Sequence, residues 1–145
     1  ERAAALGEHD YVIQGNLADA LWQTANRRED AVARYRRAIV LAEMELEARS
    51  SDWALRAQLG YFYSRVGDAE RARTYLDEAL ARGPEIIYVH YFAAVAALDR
   101  GDRPTALRAL AELVRMGYSP VLLRSAPEFR SLRQDPGYKE IVGAS

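Results

Sequence analysis

Apolar residues recur along most of this 145-residue chain at steps of three and four, the period of an amphipathic helix. Trp53, Leu55, Leu59, Phe62, Tyr63 and Val66 predict one helix over 53–65, stopped at Gly67. Asp68 stands where a carboxylate caps the next helix, over 69–82, whose apolar face is Ala72, Tyr75, Leu76, Ala79 and Leu80. Gly83-Pro84 ends it, and the pattern restarts. Tyr88, Tyr91, Phe92, Val95 and Leu98 form one stripe, Gly101-Asp102 turns, and Ala106, Leu107, Leu110, Leu113 and Val114 form the next, closed by Gly117 and Pro120. Gly67 to Gly101 is 34 residues, and so is Ala72 to Ala106.

An earlier copy is degraded. Ala31, Tyr35 and Ala38 carry the spacing of Ala72, Leu76 and Ala79, and Asn26 takes the place of the turn glycine. Ala31 to Ala72 is 41 residues, one heptad more than 34, so the second helix of this unit lengthens by about 10 Å with its apolar face kept in direction. One long helix is expected from Arg28 to about Arg49, overhanging its neighbours. Each unit is a helix–turn–helix that cannot bury its apolar faces alone, and stacked units bury each other's.

The pattern Leu59-Gly60-x-x-Tyr63, Gly67-Asp68, Ala72, Leu76, Ala79, Pro84 resembles the tetratricopeptide repeat (TPR). The third unit has Ala93-Ala94 for Leu-Gly and Ala97 for Tyr; the first has Trp22 for Tyr but Asp19 where a small residue belongs, so its register could slip by one to Ala18. The resemblance implies an all-α fold, a right-handed α-α superhelix of about three helix hairpins, with repeats near 10–50, 51–84 and 85–118. The tail, 119–145, carries no further repeat. Ser125-x-x-Glu128 reads as a capping box and Asp135-Pro136 as a helix start, predicting short capping helices over 126–133 and 136–142. Leu122, Leu123, Phe129, Leu132, Tyr138, Ile141 and Val142 are then expected to cover the open end of the third repeat.

GNLADALW (15–22), the long second helix and SAPEFRSLRQDPGYKEIV (125–142) resemble the C-terminal TPR region of bacterial eukaryotic-like serine/threonine protein kinases. That likeness implies a signalling parent with an effector domain, and often a transmembrane helix, ahead of Glu1. The compartment stays open: cytoplasmic, or the outer side of a membrane-anchored parent. The chain starts without methionine, inside an apparent helix, and reads as part of a longer protein.

Composition removes several functions. Twenty basic against twenty-one acidic residues give a net charge of −1, which recommends neither nucleic acid nor an anionic membrane. No apolar run is long enough for direct membrane insertion. Cysteine is absent, and the two histidines, His9 and His90, lie 81 positions apart in no metal or hydrolase pattern. No phosphate loop or nucleophile elbow occurs. Catalytic residues, cofactors and metals are therefore not expected. His90 reads as a packed or groove-edge side chain. Glu43, Glu45 and Glu47 read as a solvated face, as do Arg27, Arg28, Arg34, Arg36 and Arg37, which could also dock an acidic partner.

Binding remains. In a TPR stack the first helices line a groove. The stripe lying 13, 10, 6, 3 and 2 residues before the turn gives Ala54, Ala57, Tyr61, Ser64 and Arg65 in the middle repeat. It gives Tyr88, Tyr91, Val95, Leu98 and Asp99 in the third, and Ile13, Asn16, Ala20, Gln23 and Thr24 in the first. Tyr61, Tyr88 and Tyr91 are the expected anchors for a peptide or protein ligand, with Asn16 or Gln23 orienting its backbone; alternatively these rings pack internally. The lysine, asparagine and arginine clamp that some TPR proteins use for chaperone tails is not reproduced by Asn16, Ala20, Gln58, Tyr88 and Phe92. Two functions fit: an interaction or sensing module of a signalling protein, or a free-standing scaffold or assembly adaptor. Self-association through the ends of the stack is open to either.

Overall fold

Glycine and aspartate set the punctuation of the fold. In this computed structural model, residues 7–143 are described, and among them the chain is all-helical. The helices are α1 (Tyr11–Trp22), α2 (Arg28–Ala48), α3 (Trp53–Arg65), α4 (Ala69–Arg82), α5 (Ile87–Asp99), α6 (Arg103–Arg115), α7 (Pro120–Ser125) and α8 (Pro136–Val142), with a 3-10 helix over Pro127–Leu132 before α8. Gly67 and Gly101 take φ of 85° and 76°, a conformation that costs an ordinary residue about 1–2 kcal/mol. Asn26 adopts the same conformation at φ 62°. All three lie two residues ahead of the following helix. The turns close alike: the Asp68 N–H donates to the Tyr63 carbonyl at 3.0 Å and the Asp102 N–H to the Ala97 carbonyl at 2.8 Å. Asp68 and Asp102 then cap α4 and α6, accepting from the N–H groups of Arg71 and Thr105.

α1 with α2, α3 with α4, and α5 with α6 form three helix hairpins. Small residues let the members of each pair approach closely. Ala31, Ala72 and Ala106 are buried at the same position, three residues into each second helix. A Cβ on Gly60 would lie 2.7 Å from Leu76 Cγ, so α3 and α4 meet where only glycine fits. Between hairpins, α3 packs on α5 and α4 on α5, with Ala57, Leu76, Ala79, Val89, Ala93 and Ala96 as one apolar cluster. The first hairpin joins the second chiefly through α2 on α3. α2 has 21 residues against 14 in α4 and 13 in α6, the expected overhang.

The first hairpin slips as its sequence allowed. Residues 23–27 connect α1 to α2, whereas three residues connect α3 to α4 and α5 to α6. Ala18, not Asp19, is the fully buried contact, and Gly15 meets the Phe62 ring.

The tail corrects four expectations. Pro120 opens a helix, α7, rather than only ending the preceding one. The segment expected as a helix over 126–133 is a 3-10 helix, and its cap is Ala126. Ser125 instead donates its hydroxyl back to the Leu122 carbonyl at 3.1 Å, because α7 claims it as a last-turn residue. Leu122 points outward, 55% exposed. Leu123, Phe129, Leu132, Tyr138 and Val142 are buried as part of the main core, and Asp135 caps α8 as expected.

Candidate functional site

Arg65 and Asp99 occupy equivalent places in consecutive hairpins, each two residues before its turn glycine. Stacking brings them together: Arg65 Nη1 lies 3.2 Å from Asp99 Oδ1, and Ser64 donates its hydroxyl to Asp99 Oδ2 at 3.1 Å. The Arg65 side chain is 5% exposed, so its charge depends on these partners. Burial pushes the Asp99 carboxyl up and Arg65 pulls it back; the net direction is upward. Burial opposes the charge of Arg65, but Tyr61 and Asp99 outweigh it and hold the guanidinium protonated.

The network runs on into the first hairpin. Arg65 Nε donates to the Tyr61 hydroxyl at 3.3 Å. Tyr61 and Tyr35 both donate to Asp19 Oδ1, each at 2.5 Å. Desolvation raises both phenols, which remain protonated donors. Sequence reading treated Asp19 only as a misfit in a small-residue place. The one-residue slip of α1 turns it toward Tyr61 and makes it the acceptor that joins the first hairpin to the second.

Beside this network lies a depression of about 350 Å³. The Trp22 ring stands at one side between two guanidinium groups, Arg28 at 3.8 Å and Arg65 at 4.4 Å from its centre. Val95 and Leu98 form an apolar floor, and Gln23 adds an amide. The far wall comes from the tail, as Glu128, Arg130 and Ser131. Trp22, Arg28 and the tail residues were absent from the stripe read off the sequence. The slip of α1 and the return of the tail are non-local; only the misplaced Asp19 beside Ala18 hinted at the first.

The expected groove residues divide accordingly. Ala57, Tyr61, Arg65 and Val95 are buried. Leu98 is half-buried at the depression and Gln23 is exposed there, whereas Ser64, also half-buried, lines a separate hollow with Gly67 and Ala72. Ile13, Asn16 and Ala20 are exposed on α1, turned away from the residues that meet α3. Tyr91 lies among Phe92, Tyr118 and Phe129, with ring centres 6.2, 5.7 and 5.4 Å away, and its hydroxyl donates to Glu128 at 3.2 Å. Tyr88 is the exposed aromatic of the set, at 58%.

Elsewhere, Glu43 is more than a solvated carboxylate: it is half-buried and accepts from the Tyr63 hydroxyl. His90 donates from Nε2 to the Pro84 carbonyl at 2.7 Å. Among the described residues no three His, Cys, Asp or Glu side chains converge as metal ligands, and no helix is long and apolar enough to cross a membrane. The depression thus sets an apolar floor, Val95 and Leu98, beside the guanidinium groups of Arg28 and Arg130 and the Gln23 amide. Comparison of the chain with protein-family models, with curated proteins and with solved structures finds no match.

Proposed function

We propose that this chain is a non-catalytic protein-interaction module of the TPR type, three stacked hairpins in a right-handed superhelix, that binds an acidic, partly apolar peptide in the depression beside Trp22. In this reading it is the regulatory part of a bacterial signalling protein, such as a eukaryotic-like serine/threonine kinase, and biases that protein by recruiting a partner. The observation that carries the binding role is the depression itself. Its internal charges, Arg65 and Asp99, satisfy each other, while Arg28 and Arg130 border an apolar floor with donors available to a ligand. The equivalent turn conformations at Asn26, Gly67 and Gly101 support the repeat assignment.

Selection from a displayed random-peptide library tests the reading. The native chain is expected to enrich peptides that pair Asp or Glu with an aliphatic residue. The double variant Arg28→Glu, Arg130→Glu should keep its circular dichroism and melting temperature and lose that enrichment. Indifference of the enriched set to both charge reversals would sink the assignment of this depression.

A further inference from the structure

The outward side of α2 is ordered by charge along its length. Ala33, Arg37, Val40, Met44 and Glu47 follow one another at steps of four and three and, with Arg36 beside Arg37, form a single exposed stripe. Its middle is apolar: Val40 is 50% and Met44 63% exposed. Val12 of α1, 41% exposed, extends the apolar area beside Leu41 and Met44. Arg36 and Arg37 lie one turn before Val40, with Glu29 two turns further back, and Glu47 lies one turn after Met44. Among the described residues neither Arg36 nor Glu47 enters a salt bridge, and Arg37 uses only Nε, toward the Glu8 carbonyl.

A stripe that is positive, then apolar, then negative is complementary to its own reverse. Antiparallel pairing about an axis level with Ala42 sets Val40 against Met44 of a second copy and Arg37 against Glu47 of that copy, twice over by symmetry. Parallel pairing sets arginine on arginine and glutamate on glutamate. The 21-residue helix supplies about 31 Å of contact at 1.5 Å per residue. We infer that a second copy of this chain covers this face, two α2 helices packing antiparallel in a reversible two-fold dimer. The surface is separate from the depression, so self-association and peptide binding are independent. A contact carrying this little apolar area belongs below about 1,200 Å², and its dissociation constant is expected on the order of tens of micromolar.

Sedimentation equilibrium of the chain, with charge reversals, tests this. The native chain should dimerise in that concentration range, less at high salt. Arg37→Glu and Glu47→Arg should each weaken the dimer about tenfold or more, since like charges then face each other. The double variant carrying both should dimerise again, because both ion pairs are restored with reversed sign. Circular dichroism of each variant separates this from unfolding. The chain has no cysteine, so introduced ones report geometry. A mixture of Val40→Cys and Met44→Cys chains should join through a short bismaleimide. Ala33→Cys should not self-join, because antiparallel pairing separates the two copies of that position by about 27 Å along the helix. A chain that stays monomeric, a double variant no better than the singles, or efficient joining at position 33 overturns the proposal.

Discussion

Asp19 shows what one residue does when three helices converge on it. Its carboxylate receives the Tyr35 and Tyr61 hydroxyls, and those phenols are themselves 3.1 Å apart. Asp19→Ala removes their shared acceptor. The two hydroxyls can bond to each other, which leaves one buried O–H unsatisfied and costs about 1–3 kcal/mol. Asp19→Asn keeps an acceptor and should cost clearly less. Urea unfolding at unchanged m-value measures both; equal losses in the two variants would mean that packing, not hydrogen bonding, is what Asp19 supplies. None of this was legible locally, because the two donors lie 16 and 42 residues away. Gly67 and Gly101 were legible because their own backbone requires them, and Gly60 because its partners Ala72, Tyr75 and Leu76 lie on the next helix of the same hairpin.

At the scale of elements, α2, α3, α4 and α8 follow the hydrophobic period closely; Asp68 and Asp135 were readable as the caps of α4 and α8, whereas Asp52 capping α3 was not read, and α2 starts after Arg27 with no side-chain cap. Two aspartate caps, Asp102 of α6 and Asp135 of α8, also contribute to the acid sensitivity of the fold. The side-chain and backbone bonds of Thr105 hold the Asp102 carboxyl below its ordinary value of 3.8, and the Tyr138 N–H, with Arg103, does the same for Asp135. A depressed folded-state value means that the ionised form favours the fold. This contribution is complete above pH 3.8 and is lost as the pH falls through the lower folded values. Melting temperature should therefore drop below about pH 4, and Asp102→Asn with Asp135→Asn should flatten that drop while lowering stability at neutral pH. An unchanged acid slope in the double variant would remove the caps from the account. α7 and the 3-10 character of the expected 126–133 helix escaped the sequence reading because six residues are too few for a helical period to declare itself.

The whole molecule depends on how hairpins and tail cover one another. The exposed end of the third hairpin is finished by residues from 120 to 142, with Phe129 fully buried against Tyr91. Phe129→Ala should cost about 3–5 kcal/mol, read as a shift of the denaturation midpoint. It should also increase iodide quenching of tyrosine fluorescence as Tyr91 becomes accessible. A loss under about 1 kcal/mol would mean that the tail is an appendage rather than part of the core. The tail also supplies Arg130 and Ser131 to the depression, so the candidate site exists only in the assembled chain.

The sequence by itself determined the helices, their turns and the small residues at which paired helices meet, because a 3.6-residue period and a left-handed turn are properties of short stretches. Tertiary structure alone decided which faces met. A five-residue connection rotated α1 by one position, turned Asp19 and Trp22 inward and left Ala20 outside, and the returning tail covered Tyr91 while leaving Tyr88 exposed. Such outcomes follow from loop length and from contacts between residues far apart in the chain, which no local pattern encodes.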